Sequence, residues 1–148
     1  MNAIELIKQD HQRIEKLFRD FFETESETTQ EDIFQLIETG LTAHSEMEEQ
    51  VFYPVMEQFA PDKVEDAVRE HAEVKGLLVD LLDADLNEET FESMFQKLMD
   101  DVRKHVKEEE APGGILETAE ASLDRERLSK MANEMLKVQR STQEDLAA

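Results

Sequence analysis

The sequence contains no cysteine, and this absence removes several classes of functional site. Disulfides, thiolate zinc sites, iron–sulfur clusters and cysteine nucleophiles all require a thiol. Glycine and proline are scarce, at four and three residues, so we expect few turns and long elements. Tryptophan is absent, tyrosine occurs once, and valine and isoleucine do not alternate with polar residues, so strands are not predicted.

Basic residues are also few: 16 lysines and arginines face 37 acidic residues, which gives a net charge of −21. Nucleic-acid binding needs clustered basic side chains that displace counterions, and anionic membrane surfaces attract the same clusters. No apolar run reaches the length of a membrane span, and the charged N-terminus does not look like a signal peptide. We therefore expect a cytoplasmic protein with neither a nucleic-acid nor a membrane partner.

The residues that are present favour long amphipathic helices. The chain has 148 residues, enough for one domain with a core; 39% are hydrophobic and 36% are charged. Apolar residues recur at steps of three and four, which predicts helices over residues 2–23, 30–59, 61–83 and 88–110. Pro54 predicts a kink or a short interruption in the second helix. Thr28 or Thr29 is predicted to cap the second helix, and Asn87 the fourth.

Short connections between long helices favour antiparallel neighbours. The predicted fold is therefore all-α: an up-down-up-down four-helix bundle with an additional short C-terminal helix. The bundle is assigned to residues 1–111, because the run Ala-Pro-Gly-Gly that begins at Ala111 stops the fourth helix. Residues 112–148 are predicted to form a linker, a short helix near 124–139 and a frayed tail.

Each of the four histidines lies on the apolar seam of a different predicted helix: His11, His44, His71 and His105. His44 and His105 are each followed four residues later by a glutamate, Glu48 and Glu109. Residues four apart share a helix face. At ~1.5 Å per residue, their distances from the breaks between helices place all four histidines near one layer of the bundle.

A buried histidine is more often a core residue with a satisfied hydrogen bond, so a bundle without metal is the alternative interpretation. Two seam carboxylates, however, need a cationic partner, and no arginine lies on the seams. Six nitrogen and oxygen donors are too many for one catalytic zinc and unusual for magnesium or calcium, and they suit iron, with manganese or zinc as alternatives. The simplest arrangement gives two metals two histidines each, with both glutamates bridging. The predicted ligands are His11, His44, Glu48, His71, His105 and Glu109.

Four motifs resemble the hemerythrin-like proteins with an HHE cation-binding domain: Asp10-His11, the run HSEMEEQVFYP from His44 to Pro54, Glu70-His71, and HVKEE from His105 to Glu109. The resemblance covers residues 1–110 and implies a four-helix bundle that holds two non-haem iron ions with an oxo- or hydroxo-type bridge.

The chain departs from the family pattern at two places. Oxygen-carrying hemerythrins have a further histidine one turn after the position of His71, where this chain has Lys75. Two hypotheses for Lys75 are that it points outward to solvent or that it donates to a bound ligand. The Phe-Pro pair that follows the last glutamate in many relatives is replaced by Ala111–Gly114, and Glu110 is an alternative to Glu109 as the bridge.

The resemblance implies a protein that binds or senses a small diatomic ligand, dioxygen or nitric oxide, or that handles iron in a stress response. The lysine at position 75 shifts this expectation away from simple oxygen carriage. The alternatives are a di-iron enzyme that acts on peroxide or nitric oxide, and a protein that repairs iron centres. We rank an enzyme lower because the sequence shows no nucleophile or proton-relay motif. Both a monomer and a homodimer are compatible with the sequence.

Overall fold

The computed structural model describes residues 1–148 and consists of helices joined by short connections. Seven α-helices and one π-helical segment, here called the π segment, follow one another along the chain. Their bounds are Ala3–Glu23 (α1), Glu27–Met47 (α2), Glu48–Phe52 (the π segment), Tyr53–Met56 (α3), Pro61–Leu82 (α4), Glu89–Glu110 (α5), Ile115–Ser122 (α6) and Arg125–Ala147 (α7). None of them combines the length and the apolar character that crossing a membrane requires.

The helix starts follow from side chains that accept the first free backbone N–H groups. Asn2 and Glu5 form a reciprocal capping box at α1. Ser26 caps α2 by accepting from the Thr29 N–H at 3.3 Å, so the predicted threonine cap is wrong: the helix begins two to three residues earlier. The predicted cap at Asn87 is also wrong, because its side chain donates to Glu27 instead and α5 begins after Glu88.

The predicted interruption near Pro54 is confirmed and takes the form of the π segment. Proline has no N–H, and its ring clashes with the carbonyl four residues earlier, so an ordinary helix cannot continue through it. The helical turn instead takes up one extra residue, and the Tyr53 N–H donates to the Glu48 carbonyl five residues back. This turn carries Glu48 at its start and is followed directly by Tyr53, and both side chains are buried.

The buried apolar residues form two clusters, and the histidines lie between them. On α1, Ile7 belongs to the first cluster and Ile14 to the second, with His11 between them. Helix α4 repeats this order around His71, and α2 reverses it around His44. Helix α5 runs from the second cluster towards α6, which belongs to the first. The predicted antiparallel bundle is therefore confirmed, with a buried polar layer across its middle.

The C-terminal part of the chain adds two helices beside the bundle. The sequence analysis did not identify α6, which is only eight residues long and buries Ile115, Leu116 and Ala119. Helix α7 buries Leu128, Met131 and Met135 in the first apolar cluster and packs against α1, α2 and the π segment. It continues to Ala147, beyond the predicted end near residue 139, although none of its residues after Gln139 is buried.

Candidate metal centre

The structure brings the six predicted ligands together in the polar layer between the two apolar clusters. Each of the six is at most 8% exposed: His11, His44, Glu48, His71, His105 and Glu109. Their donor atoms fall into two groups in which all atoms lie within 4.8 Å of one another. One group contains His11, His44, Glu48 and Glu109, and the other contains Glu48, His71 and His105. Glu48 is common to both groups, which is the arrangement expected for a carboxylate between two metal ions.

The histidines form two pairs, His11 with His44 and His71 with His105. Each glutamate lies close to one histidine of the first pair and one of the second. Glu48 Oε1 lies 3.0 Å from His44 Nε2 and 3.2 Å from His71 Nε2. Glu109 Oε1 lies 3.2 Å from His11 Nε2, and its Oε2 lies 3.4 Å from His105 Nε2. The two carboxylates therefore span the space between the His11–His44 pair and the His71–His105 pair.

Several donor atoms at the centre have no hydrogen-bond partner although water does not reach them. They are His11 Nε2, His44 Nε2, Glu109 Oε1 and both carboxylate oxygens of Glu48. Buried polar atoms in proteins nearly always have a partner, because an unpaired one loses its hydration without compensation. The chemistry of these atoms, imidazole nitrogen and carboxylate oxygen, fits a transition-metal ion that would bind all of them.

The carboxylates at the centre are ionised and require positive charge beside them. Burial lowers the pKa of His44, but Glu48 and Asp10 outweigh burial and raise the pKa to about 10. Burial likewise lowers the pKa of His105, and Glu109 and its acidic neighbours raise it to about 10. The pKa of Glu109 is raised by burial and by Glu48, yet His105 and His11 lower it to about 2. The two carboxylates therefore stay ionised and hold positive charge beside them, as protons on the histidines or as metal ions.

A second set of carboxylates holds the outer nitrogen, Nδ1, of each histidine. Three accept hydrogen bonds, and the fourth, Glu49 Oε2, lies 3.4 Å from His71 Nδ1. The three bonded pairs are Asp10 with His44 at 2.9 Å, Glu70 with His105 at 2.8 Å and Glu110 with His11 at 2.6 Å. A carboxylate on Nδ1 fixes the proton there, so Nε2 keeps its lone pair towards the centre.

These outer carboxylates form a closed ring around the bundle. The carboxylate on α1 contacts the histidine of α2, and the carboxylate on the π segment contacts the histidine of α4. The carboxylate on α4 contacts the histidine of α5, and the carboxylate on α5 contacts the histidine of α1. These roles were not predicted from the sequence. A signal was present, because each outer carboxylate is adjacent in sequence to a predicted ligand: Asp10 precedes His11, Glu49 follows Glu48, Glu70 precedes His71, and Glu110 follows Glu109.

The structure distinguishes the alternatives that the sequence left open at two positions. Glu109 is buried among the donor atoms, whereas the Glu110 side chain is 34% exposed and bonds the outer nitrogen of His11. The geometry thus favours Glu109 over Glu110 as the shared carboxylate. Lys75 is exposed to solvent, which favours the hypothesis that its side chain points outward.

Tyr53 adds a neutral hydrogen-bonding group beside the donor atoms. Its hydroxyl donates to Glu109 Oε2 at 2.6 Å and lies 3.3 Å from His71 Nε2 and 3.4 Å from His105 Nε2. Burial, followed by the charges of Glu48 and Glu109, raises the pKa of Tyr53 well above its ordinary value. The hydroxyl therefore keeps its proton and acts as a hydrogen-bond donor.

Comparisons with known proteins agree with this architecture. A model of the Hemerythrin HHE cation binding domain family matches residues 2–112. The crystal structure of a hemerythrin HHE cation binding domain-containing protein from Mycobacterium kansasii is similar in fold. It has a TM-score of 0.82 and 23% sequence identity, with 98% of this chain and 89% of that chain covered. A protein named DNA nickase from Nostoc sp. (strain PCC 7120) is 30% identical over 112 residues, which are 75% of this chain and 32% of the relative. The chain thus spans about a third of that relative's length.

Proposed function

The chain belongs to the hemerythrin HHE cation-binding domain family, and from this premise we propose that it holds two non-haem iron ions and binds a small diatomic ligand at them. The observation that carries the proposal is the pair of donor groups that share Glu48. One metal position cannot use all six donors, since the histidines form two pairs on opposite sides of the glutamates.

In this proposal each iron is held by one histidine pair. His11 and His44 would hold the first iron, and His71 and His105 the second. Glu48 and Glu109 would be shared, because each approaches one histidine from both pairs. Bound iron would supply redox chemistry and open coordination positions, and mixed imidazole and carboxylate ligation suits it. The outer carboxylates keep the four imidazoles oriented before and after a ligand binds.

The burial of the centre supports a ligand of only a few atoms. Apolar clusters close the layer from both ends, and the donors are almost inaccessible to water. A cavity of about 220 Å³ between α4 and α5 reaches His105 and Glu109 from the surface. Dioxygen and nitric oxide are small enough to enter through this cavity, and the Tyr53 hydroxyl, which donates to Glu109, is a buried hydrogen-bond donor at the centre.

The experiment that tests this proposal is an anaerobic titration of the reduced, iron-loaded protein with nitric oxide, followed by absorption spectroscopy. We expect new bands that saturate at a fixed ratio of nitric oxide to protein, and the same bands in Glu73→Ala, a variant of an exposed residue on α4. A protein that contains two irons but shows no spectral response to nitric oxide or to dioxygen would contradict ligand binding.

The position of Tyr53 favours a second candidate function, an enzyme that acts on peroxide or nitric oxide. A phenol that keeps its proton 2.6 Å from a shared carboxylate can hydrogen-bond to a small ligand as the ligand is reduced. Iron-loaded protein that is supplied with an external reductant and removes many equivalents of peroxide or nitric oxide, with slower turnover in Tyr53→Phe, would establish the enzyme. Binding at a fixed ratio without turnover would support the binding protein instead.

Action on DNA is not part of this proposal. The relative named DNA nickase is matched over 32% of its length, so two thirds of it has no counterpart here. The net charge of −21 opposes close approach to a phosphate backbone, which needs basic groups to release its counterions.

A further inference from the structure

Gln139, on α7, is the one buried amide side chain of the chain. It is 7% exposed and lies outside residues 2–112, which the family model matches. The remainder of the buried face of α7 is apolar: Leu128, Met131, Ala132 and Met135. A lone amide on such a face needs a hydrogen-bond partner, because burial removes it from water.

The partner of Gln139 is the carboxylate that holds His44. Gln139 Nε2 donates to Asp10 Oδ2, the same oxygen that accepts from His44 Nδ1 at 2.9 Å. The other oxygen, Oδ1, accepts from the Arg13 guanidinium at 2.5 Å. Three donors on two oxygens fix the rotation of the carboxylate, and Asp10 in turn fixes the ring of His44.

Asp10 differs from the other three outer carboxylates in its access to water. Its side chain is 2% exposed, whereas those of Glu70, Glu110 and Glu49 are 20%, 34% and 37% exposed. Water can therefore hydrate the three glutamates, but Asp10 depends on protein donors. Gln139 thus gives Asp10 a hydrogen-bond donor of the kind that water can give the three exposed glutamates.

We propose that Gln139 is a positioning residue for the metal centre, acting through Asp10 on His44, so that α7 completes the site. The inference rests on the proposed di-iron centre and extends it to a helix beyond the family match. The bundle helices provide the ligands, and α7 holds the ring of one of them, His44, in its orientation. A change at Gln139 should then alter how the protein holds metal without removing a ligand.

The test compares Gln139→Met with wild type in the full-length chain. Methionine has a similar length and volume but cannot donate a hydrogen bond, so packing is largely kept. Gln143→Met is the matched control, because Gln143 is exposed on the same helix one turn later. Each protein is loaded with ferrous iron, and release to an excess of chelator is followed over time. We expect Gln139→Met to release iron about tenfold faster, the lower end of the range for groups that orient ligands, and Gln143→Met to match wild type.

Two further measurements distinguish an effect that acts through Asp10 from a general loss of stability. The metal-free Gln139→Met protein should melt cooperatively and close to wild type. In an Asp10→Ala background, Gln139→Met should change iron release less than twofold, because its route to His44 is already gone. Equal release rates for wild type and Gln139→Met, or an undiminished effect without Asp10, would overturn the inference. A wild-type protein that takes up no iron would instead contradict the proposed function.

Discussion

An imidazole binds a metal ion through Nε2 only when that nitrogen keeps its lone pair, and hydrogen bonds to outer carboxylates arrange this for His11, His44 and His105. Each carboxylate sits on the far side of the ring, at 2.6 to 2.9 Å for Asp10, Glu70 and Glu110. The inner carboxylates, Glu48 and Glu109, face the opposite nitrogens. At this scale the protein defines a metal centre by proton placement as well as by its ligands.

Replacing Glu70 with alanine should weaken iron binding although Glu70 is not itself a predicted ligand. The change removes the acceptor 2.8 Å from His105 Nδ1, so the ring can turn and its tautomer is no longer fixed. We expect roughly 10- to 100-fold lower affinity, measured by competition with a chelator. Glu73→Ala removes an exposed carboxylate from the same helix and should leave the affinity unchanged. Equal losses in the two variants would show that surface charge, not orientation of His105, is responsible.

At the scale of elements, the turn after α5 controls the position of the last two carboxylates of that helix. Glu109 and Glu110 lie at the very end of α5, and Gly113 follows with φ of +77°, a conformation that glycine adopts easily. Gly114 lies so close to the helix end that a Cβ there would sit 2.5 Å from the Glu108 carbonyl oxygen and 2.7 Å from that of Glu109. The second glycine is needed for space, and one of the backbone groups beside it belongs to Glu109, which carries the shared carboxylate.

Gly114→Ala should therefore destabilise the fold and disturb the metal centre together. The new methyl group meets backbone atoms, which must shift, and overpacking of this kind typically costs about 1–3 kcal/mol. Denaturant unfolding of the metal-free chain measures the loss, and iron content measures the effect on Glu109. Gly76→Ala is the control: nothing lies within 4 Å of its Cβ, and alanine in mid-helix should stabilise by up to about 1 kcal/mol. A Gly114→Ala protein as stable as wild type would refute the close approach.

At the scale of the whole molecule, apolar periodicity predicted the four helices and the single polar layer. A 3.6-residue period fixes which residues share a face, so the seam positions of His11 and His44 followed directly. The ring of outer carboxylates and the Gln139–Asp10 contact could not be predicted in this way. They join different helices, and their partners depend on how each helix is rotated and placed against its neighbours.

The charge balance of the centre predicts how the metal-free chain responds to pH. The pKa values of His44 and His105 are raised to about 10 from 6.5, so their stabilisation is complete below pH 6.5 and is lost as pH rises through about 10. The pKa of Glu109 is lowered to about 2 from 4.5, so its stabilisation is present above pH 4.5 and is lost as pH falls through about 2.

The melting temperature of the metal-free protein should therefore be highest between pH 4.5 and 6.5 and fall towards pH 10. Thermal unfolding followed by circular dichroism across this range measures the trend. Iron-loaded protein is the control, and its decline above pH 7 should be smaller because metal ions replace the protons on the histidines. A metal-free melting temperature that rises from pH 7 to pH 10 would show that the histidines are not held in their charged form by the carboxylates.

The most direct test of the central claim is the number of iron ions per chain in the purified, iron-loaded protein, measured by elemental analysis with an absorption spectrum. The account predicts two irons per chain and charge-transfer bands in the near ultraviolet. His44→Ala should lose most of the bound iron, because it removes a donor from one group, the imidazole nitrogen 3.0 Å from Glu48 Oε1. One metal ion per chain, or none, would contradict a centre built from two histidine pairs and two shared glutamates.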